Sequence, residues 1–149
     1  MAKGQVAVAM SGGVDSAAAA LLLLQAGYDV WGVTLRLQSC GAAVETAERE
    51  IESARQAAAA LGIPHRVLDL RERFRSAVMD RFVSEYLAGR TPNPCIDCNR
   101  EIKFGALLDW ALDQGADYLS TGHYARVDRD PESGRWRLLR GLDRRKDQS

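Results

Sequence analysis

The sequence has no excess charge of either sign, little cysteine and no long hydrophobic run. Its 20 Lys and Arg residues equal its 20 Asp and Glu residues, which excludes a uniformly basic nucleic-acid-binding chain; any RNA-binding surface must be local. The longest apolar run, residues 17–24, is far too short to cross a bilayer, and the N-terminus lacks a signal-peptide pattern. With three cysteines in 149 residues, we expect a cytoplasmic protein with neither structural disulfides nor membrane contact.

Residues 6–16, Val-Ala-Val-Ala-Met-Ser-Gly-Gly-Val-Asp-Ser, predict an anion-binding loop between a buried strand and a helix. The glycines allow backbone N–H groups to approach a ligand closely, and the start of the helix adds further donors and a favourable dipole. Asp15 suits the helix dipole but repels phosphate unless Mg²⁺ lies between them. The loop therefore favours Mg-nucleotide chemistry. It lacks the Gly-Lys-Ser/Thr end of a Walker loop and resembles the SGGxDS pyrophosphatase loop (PP-loop) of adenylating enzymes.

The order of apolar segments along the chain is typical of an α/β fold. Because strands and helices alternate with short connections, we expect a parallel sheet with helices on both faces and a ligand site at the carboxyl ends of the strands. Glycines follow each predicted helix, where a left-handed cap is favoured. Residues 88–100 predict a proline-stiffened loop, and residues 124–141 predict a hairpin. Strands are expected at residues 6–10, 30–35, 66–70 and 118–121, and helices at residues 14–26, 43–61, 74–87 and 103–114.

Cys95 and Cys98 form a Cys-x-x-Cys pair inside the proline-rich segment. Such a pair can bind zinc or an iron–sulfur cluster, or carry out redox or persulfide chemistry. Cys40 is the only other thiol, so two cysteines cannot close a structural metal site by themselves. The pair is therefore either reactive or completed by ligands from elsewhere.

Four segments taken together, SGGVDS, TPNPCIDCNREIKFG, STGHYAR and GLDRRKDQS, resemble the bacterial and organellar tRNA-specific 2-thiouridylase family over the whole chain. The resemblance implies an adenine nucleotide alpha-hydrolase-like, Rossmann-type domain that uses ATP and Mg²⁺. It also implies adenylation of the wobble uridine (position 34) of tRNA, followed by sulfur transfer that gives 2-thiouridine. The implied partners are tRNA and a sulfur donor, either a persulfide carrier or inorganic sulfide.

The resemblance also assigns roles by position. Cys98 corresponds to the catalytic cysteine, and Cys95 and Cys98 would be the ligands if a [4Fe–4S] cluster is held. The implied nucleotide contacts are Ala9, Met10, Ser11, Gly12, Gly13, Val14, Asp15, Ser16, Leu35 and Gly122. The implied substrate contacts are Asn93, Pro94 and Cys95 toward the target base, and Lys146, Asp147 and Gln148 toward tRNA.

The chain departs from the family pattern in two respects. Many members have aspartate where this chain has Cys95, which leaves open whether Cys98 carries sulfur directly or ligates a cluster. Members are also roughly twice as long, so residues 1–149 are expected to be an N-terminal catalytic domain that is inactive in isolation. Other interpretations are a different PP-loop enzyme, such as a cytidine-thiolating or GMP synthetase-like one, and a non-catalytic nucleotide-binding module.

Several residues outside the motifs have two interpretations each. Lys103 and His123 could reach phosphate, or serve only the helix start and the turn in which they lie. Arg140, Arg144 and Arg145 form, with Lys146, a local basic cluster that suits RNA phosphates or a solvated surface equally.

Overall fold

A computed structural model describes residues 2–37 and 42–147. Four strands form one parallel sheet in the order β3-β2-β1-β4, and two further strands form an antiparallel hairpin. The sheet strands are β1 (Gln5–Ala9), β2 (Asp29–Arg36), β3 (His65–Asp69) and β4 (Tyr118–Ser120), and the hairpin strands are β5 (Arg126–Arg129) and β6 (Trp136–Leu139). The predicted strands and hairpin are confirmed within one or two residues at their ends.

The helices lie between the strands. The first two are α1 (Val14–Gln25) and α2 (Ala42–Leu61). Two longer helical stretches lie between β3 and β4. The one after β3 consists of α3 (Arg71–Phe74), the π-helical segment Arg75–Met79 and α4 (Asp80–Leu87). The one before β4 consists of α5 (Pro94–Asp97), the π-helical segment Cys98–Leu107 and α6 (Leu108–Asp113).

Alternate residues of β1 point to opposite faces of the sheet, and each face is covered by helices. Val6 and Val8 pack with Ala20 of α1 and Ala54 of α2. On the other face, the core combines β1 and β2 with the helical stretch at residues 94–113 and the segment that follows it, through Ala7, Trp31, Val33, Leu107, Ala111 and Ala116. Two covered faces explain why the strands are apolar runs with little alternation, and they confirm the predicted fold class.

The predicted loop at residues 88–100 is wrong in its second half, because a helix begins at Pro94. Asn93 caps this helix: its Oδ1 accepts a hydrogen bond from the backbone N–H of Cys95 at 3.1 Å. Proline is favoured at the first helical position, where its missing N–H has no intrahelical partner to lose. The cysteine pair therefore lies at a helix start, nine residues before the predicted start at residue 103.

Candidate functional site

The loop between β1 and α1 is fixed to the neighbouring strand β2. The backbone N–H of Met10 donates to the carbonyl of Val33 at 2.8 Å, and the buried hydroxyl of Thr34 donates to the carbonyl of Met10 at 2.7 Å. The Thr34 hydroxyl also lies 2.8 Å from Nε2 of His65. Since the hydroxyl has one hydrogen, which Met10 accepts, His65 donates from Nε2 in this arrangement.

Ser16 organises the loop from inside. Its buried hydroxyl accepts a hydrogen bond from the N–H of Ser11 at 3.3 Å and donates to the carbonyl of Gly13 at 3.1 Å. These bonds close the turn before α1 begins, so the first-turn N–H groups of that helix face the carboxyl edge of the sheet. Ser16 therefore shapes the loop as well as lining the space beside it.

Two glycines allow neighbouring segments to approach this loop. Gly12 has a φ of +78°, and a Cβ at this position would lie 2.7 Å from the carbonyl oxygen of Glu50 in α2. Gly122 follows β4, and a Cβ there would lie 3.1 Å from the backbone nitrogen of Ser16. A larger residue at either position would separate the loop from the segment that packs against it.

The loop forms one wall of a cavity of about 330 Å³ at the carboxyl ends of β1, β2 and β4. Its volume is within the range of small-molecule sites. The lining includes seven of the ten predicted nucleotide contacts, namely Ala9, Met10, Ser11, Asp15, Ser16, Leu35 and Gly122. Gly12 and Gly13 belong to the turn behind this wall, and Val14 is 79% exposed on α1.

The lining also contains residues that the sequence did not single out, namely Val33, Thr34, Leu37 and Glu50. The first three lie at or just beyond the carboxyl end of β2, where the sequence analysis named only Leu35. Glu50 reaches the cavity because α2 packs against Gly12, a contact that depends on tertiary structure.

Lys103 and His123 both line the cavity. Their Nζ and Nε2 atoms are 3.5 Å apart, and the His123 Nδ1 lies 2.7 Å from the hydroxyl of Thr121. Partial burial, and secondarily the Lys103 charge, lower the pKa of His123. The histidine is therefore neutral at pH 7, and Lys103 supplies the positive charge on this side of the cavity.

The two cysteines differ in environment. Cys95 is exposed, and Cys98 is partly buried at the start of the π-helical segment. Burial raises the pKa of the Cys98 thiol; the charge of Lys103 opposes this effect, and Cys95 adds to it. Lys103 thus acts electrostatically on the Cys98 thiol while also lining the cavity.

Ion pairs hold the helix that carries the cysteines. Asp97 has only 13% of its side chain exposed and pairs with Arg81 of α4 at 3.5 Å and with Arg100 at 3.0 Å. Asn93, Pro94 and Cys95, the predicted base contacts, form the cap and first turn of this helix. The amide oxygen of Asn93 is engaged by that cap, which leaves its NH₂ group for other partners.

Two of the three predicted tRNA contacts lie among the described residues. Lys146 donates from Nζ to the hydroxyl of Tyr124 at 3.3 Å, and Asp147 accepts a hydrogen bond from the N–H of Gly141 at 2.8 Å. Tyr124 in turn donates to Asp15 in the loop. Gln148 and Cys40 lie outside the described residues.

The residues that the structure describes contain no group of three or more His, Cys, Asp or Glu side chains that could hold a metal. Within those residues, Cys95 and Cys98 are two thiols where an iron–sulfur cluster needs about four ligands. Nor does any helix of the described part combine the length and apolar character needed to span a membrane.

Comparison with known proteins identifies relatives of the chain. A tRNA-specific 2-thiouridylase MnmA from Pelotomaculum thermopropionicum is 52% identical over 156 residues, covering 100% of this chain and 43% of the relative. The protein of the same name from Heliobacterium modesticaldum is 52% identical over 153 residues, covering 99% and 40%. This chain therefore spans about two-fifths of the length of these curated relatives.

Solved structures support the same architecture. The U34-tRNA thiolase NcsA from Methanococcus maripaludis, solved with its [4Fe-4S] cluster, superposes with a TM-score of 0.59 and 22% identity, covering 83% of this chain and 39% of that one. Identity at this level establishes a shared fold and nothing further. The model of the family described as tRNA methyl transferase HUP domain matches residues 4–149. The chain therefore belongs to the tRNA methyl transferase HUP-domain family, with tRNA-specific 2-thiouridylases as its curated relatives.

Proposed function

We propose that this chain is the ATP-using, sulfur-transferring domain of an enzyme that converts the wobble uridine of tRNA to 2-thiouridine in the cytoplasm. The observation that carries the proposal is that Lys103 lines the cavity beside the PP-loop and also acts on the Cys98 thiol. Cys98 and Lys103 lie on the same helical segment, five positions apart, so one segment links the candidate nucleotide site to the thiol. The names of the curated relatives supply the reaction class.

The residues around the cavity suit Mg–ATP. The loop and the first turn of α1 offer backbone N–H groups to phosphate, and Lys103 offers a cation. Mg²⁺ is usually held by one or two carboxylates together with phosphate oxygens. Asp15 and Glu50 are the two carboxylates that line the cavity, so they are the candidates to hold the ion.

The proposed chemistry has two steps. The uridine O2 attacks the α-phosphorus of ATP and pyrophosphate leaves, which makes AMP the leaving group at C2. Sulfur then forms a bond to C2 while the C–O bond to AMP breaks. In the persulfide form of this step, Cys98 takes the outer sulfur of a persulfide carrier by thiol exchange, and that sulfur forms the bond to C2 while remaining bonded to Cys98. An external thiol then attacks the Cys98 sulfur, the S–S bond breaks and 2-thiouridine leaves; a second thiol reduces the resulting mixed disulfide. When inorganic sulfide is the donor, sulfide itself attacks C2 and no persulfide forms.

The protein's part in the second step is electrostatic and positional. Lys103 favours the thiolate form of Cys98 and lies where it can stabilise the phosphate of departing AMP. The cap at Asn93 and the Asp97 ion pairs hold the cysteine helix against α4. A cluster form of the step would require ligands beyond the two thiols of the described residues.

Two observations favour thiolation over other reactions. The matching family is described by methyl transfer, but a cysteine on the helical segment whose Lys103 lines the cavity suits transfer of sulfur. GMP synthetase-like amidation needs no thiol at this place, and a nucleotide-sensing module needs neither the thiols nor Asp15. Thiolation uses all of these groups.

The proposal is tested by measuring 2-thiouridine in digested tRNA after incubation with ATP, Mg²⁺, a persulfide donor and a thiol reductant. The protein is extended to the length of the curated relatives and compared with its Cys98→Ser variant. We expect that variant to bind ATP normally but to form no 2-thiouridine, because serine cannot supply an anionic sulfur nucleophile. Undiminished 2-thiouridine in the variant would remove Cys98 from the reaction.

A second variant separates the two forms of the sulfur step. Cys95→Asp is expected to remain active if Cys98 carries sulfur directly, and to lose both iron and activity if the pair ligates a cluster.

We also propose that the 149 residues alone bind Mg–ATP but thiolate tRNA poorly, because their net charge is zero and RNA affinity depends on phosphate neutralisation. Thiolation by this chain at the rate of the longer protein would contradict that proposal.

A further inference from the structure

A chain of polar contacts joins the PP-loop to a residue 131 positions further along the sequence. Tyr124 donates a hydrogen bond from its hydroxyl to Oδ1 of Asp15 at 2.6 Å. Lys146 donates from Nζ to the same hydroxyl at 3.3 Å, and its ammonium lies 4.8 Å from the centre of the Tyr124 ring. The 2.6 Å distance is in the range of charge-assisted bonds between a hydroxyl and a carboxylate.

The backbone holds Tyr124 and Lys146 in this arrangement. Tyr124 follows Gly122, whose close approach to Ser16 brings the segment after β4 against the start of α1. On the other side, Asp147 accepts a hydrogen bond from the N–H of Gly141, and the N–H of Lys146 donates to the carbonyl of Asp143 at 3.1 Å. The turn at residues 141–147 therefore carries Lys146 to the Tyr124 ring.

The charges along this series of contacts, from Asp15 through Tyr124 to Lys146, are complementary. Asp15 is a carboxylate in a cavity suited to phosphates, so its orientation decides whether it repels the nucleotide or meets a cation bound to it. The hydrogen bond from Tyr124 restricts that orientation. The hydrogen bond with Tyr124, and the charge of the Asp15 carboxylate beyond it, raise the pKa of Lys146. The ammonium is therefore a constant positive charge behind the tyrosine.

We propose that Tyr124 is a positioning residue for Mg–ATP, which orients the Asp15 carboxylate and is itself supported by Lys146. The inference rests on the proposed function, because it concerns the same nucleotide site. It adds a role for a tyrosine outside the loop motif. It also gives Lys146, which was predicted to contact tRNA, a place beside the nucleotide loop. The segment that carries Lys146 thereby influences how the loop holds the nucleotide.

Isothermal titration calorimetry with ATP, in the presence and absence of Mg²⁺, tests the inference. We expect Tyr124→Phe to weaken Mg–ATP binding about three- to tenfold, the effect of losing one hydrogen bond of ordinary net strength, since the Tyr124–Asp15 contact is exposed. Binding of ATP without Mg²⁺ should change less than twofold. Lys146→Met, which leaves the tyrosine in place, should give a smaller Mg-dependent loss in the same direction.

A double-mutant cycle separates positioning from a general structural effect. If Tyr124 acts through Asp15, adding Tyr124→Phe to Asp15→Ala, which removes the acceptor of its hydrogen bond, should cause no further loss of Mg–ATP affinity. The matched control is Tyr86→Phe, since Tyr86 is 68% exposed, stacks on Phe82 in α4 and is not among the residues that line the cavity. This control should bind like the wild type.

The outcomes distinguish this inference from the proposed function. Wild-type affinity in Tyr124→Phe, a loss that is equal with and without Mg²⁺, or additive losses with Asp15→Ala would each overturn the inference and leave the nucleotide site intact. Absence of Mg–ATP binding by the wild-type chain would overturn both. If thermal unfolding shows that Tyr124→Phe does not fold, Lys146→Met tests the inference instead. Wild-type Mg–ATP affinity in Lys146→Met would then overturn the proposed role of the contacts among Asp15, Tyr124 and Lys146.

Discussion

Replacing Gly12 by alanine should destabilise the protein more than the same change at another glycine of similar backbone conformation. Gly12 has a φ of +78°, and its added Cβ would lie 2.7 Å from the Glu50 carbonyl oxygen and 2.9 Å from the Ser53 Cβ. Both atoms belong to α2 and cannot move aside as the end of a flexible side chain could. The substitution therefore combines backbone strain with a clash between the loop and a packed helix.

Gly27 provides the matched control, because it has a φ of +88° and open space around an added Cβ. Its substitution introduces the left-handed strain of about 1–2 kcal/mol without a clash. Gly12→Ala should lose about 1–3 kcal/mol more, the usual effect of overpacking. Because both changes remove a glycine from the unfolded chain, the entropic contribution of that state cancels in the comparison.

The assay is urea denaturation of both variants, with the free energy of unfolding extrapolated to water. We expect Gly12→Ala to be the less stable variant and also to bind Mg–ATP more weakly, since the displaced loop forms a wall of the cavity. Equal destabilisation by the two substitutions would contradict this expectation, because it would show that α2 yields to the added methyl group without loss of packing energy.

Two further predictions follow from the polar groups around the cavity. Thr34→Val should lower the free energy of unfolding by about 1–3 kcal/mol, because it leaves the Met10 carbonyl without its hydroxyl partner. The control Thr91→Val, at an exposed position, should change it by less than about 0.5 kcal/mol, and equal values in urea denaturation would contradict this expectation. Burial lowers the pKa of both His65 and His123. The free energy of unfolding should therefore fall as the pH drops below about 6.5, because the unfolded chain takes up protons there before the folded protein does. An NMR titration that gives either imidazole a pKa of about 6.5 or above would contradict this expectation.

Much of the fold was predictable because local signals agree with it. The β-branched apolar runs formed the strands, and the glycines after the helices adopt the left-handed conformation expected of caps, as at Gly62 with a φ of +70° and Gly115 with a φ of +90°. The helix at Pro94 was missed although its signals were present in the sequence. Asparagine followed by proline is a cap and a first helical residue, but the proline-rich composition indicated a loop.

From the residues alone the site was predictable where one segment supplies it, whereas Leu35 and Gly122, which come from other segments, were expected only through the family resemblance. Residues of the PP-loop are contiguous, so their cavity could be inferred from the motif and its place after a strand. Contacts between distant segments could not be inferred in this way. Thr34 reaches Met10 across 24 positions, and Tyr124 reaches Asp15 across 109 positions. Neither pair has a spacing that periodicity or capping rules detect, because both depend on how the parallel strands are ordered.

We propose that the loop positions ATP for cleavage between its α- and β-phosphates when tRNA is present. The most direct test identifies the products of radiolabelled ATP, incubated with Mg²⁺, a sulfur donor, substrate tRNA and the protein extended to the length of its relatives. We expect AMP and pyrophosphate, with one AMP for each 2-thiouridine formed and none in the absence of tRNA. Formation of ADP and inorganic phosphate, or of 2-thiouridine without AMP, would contradict it.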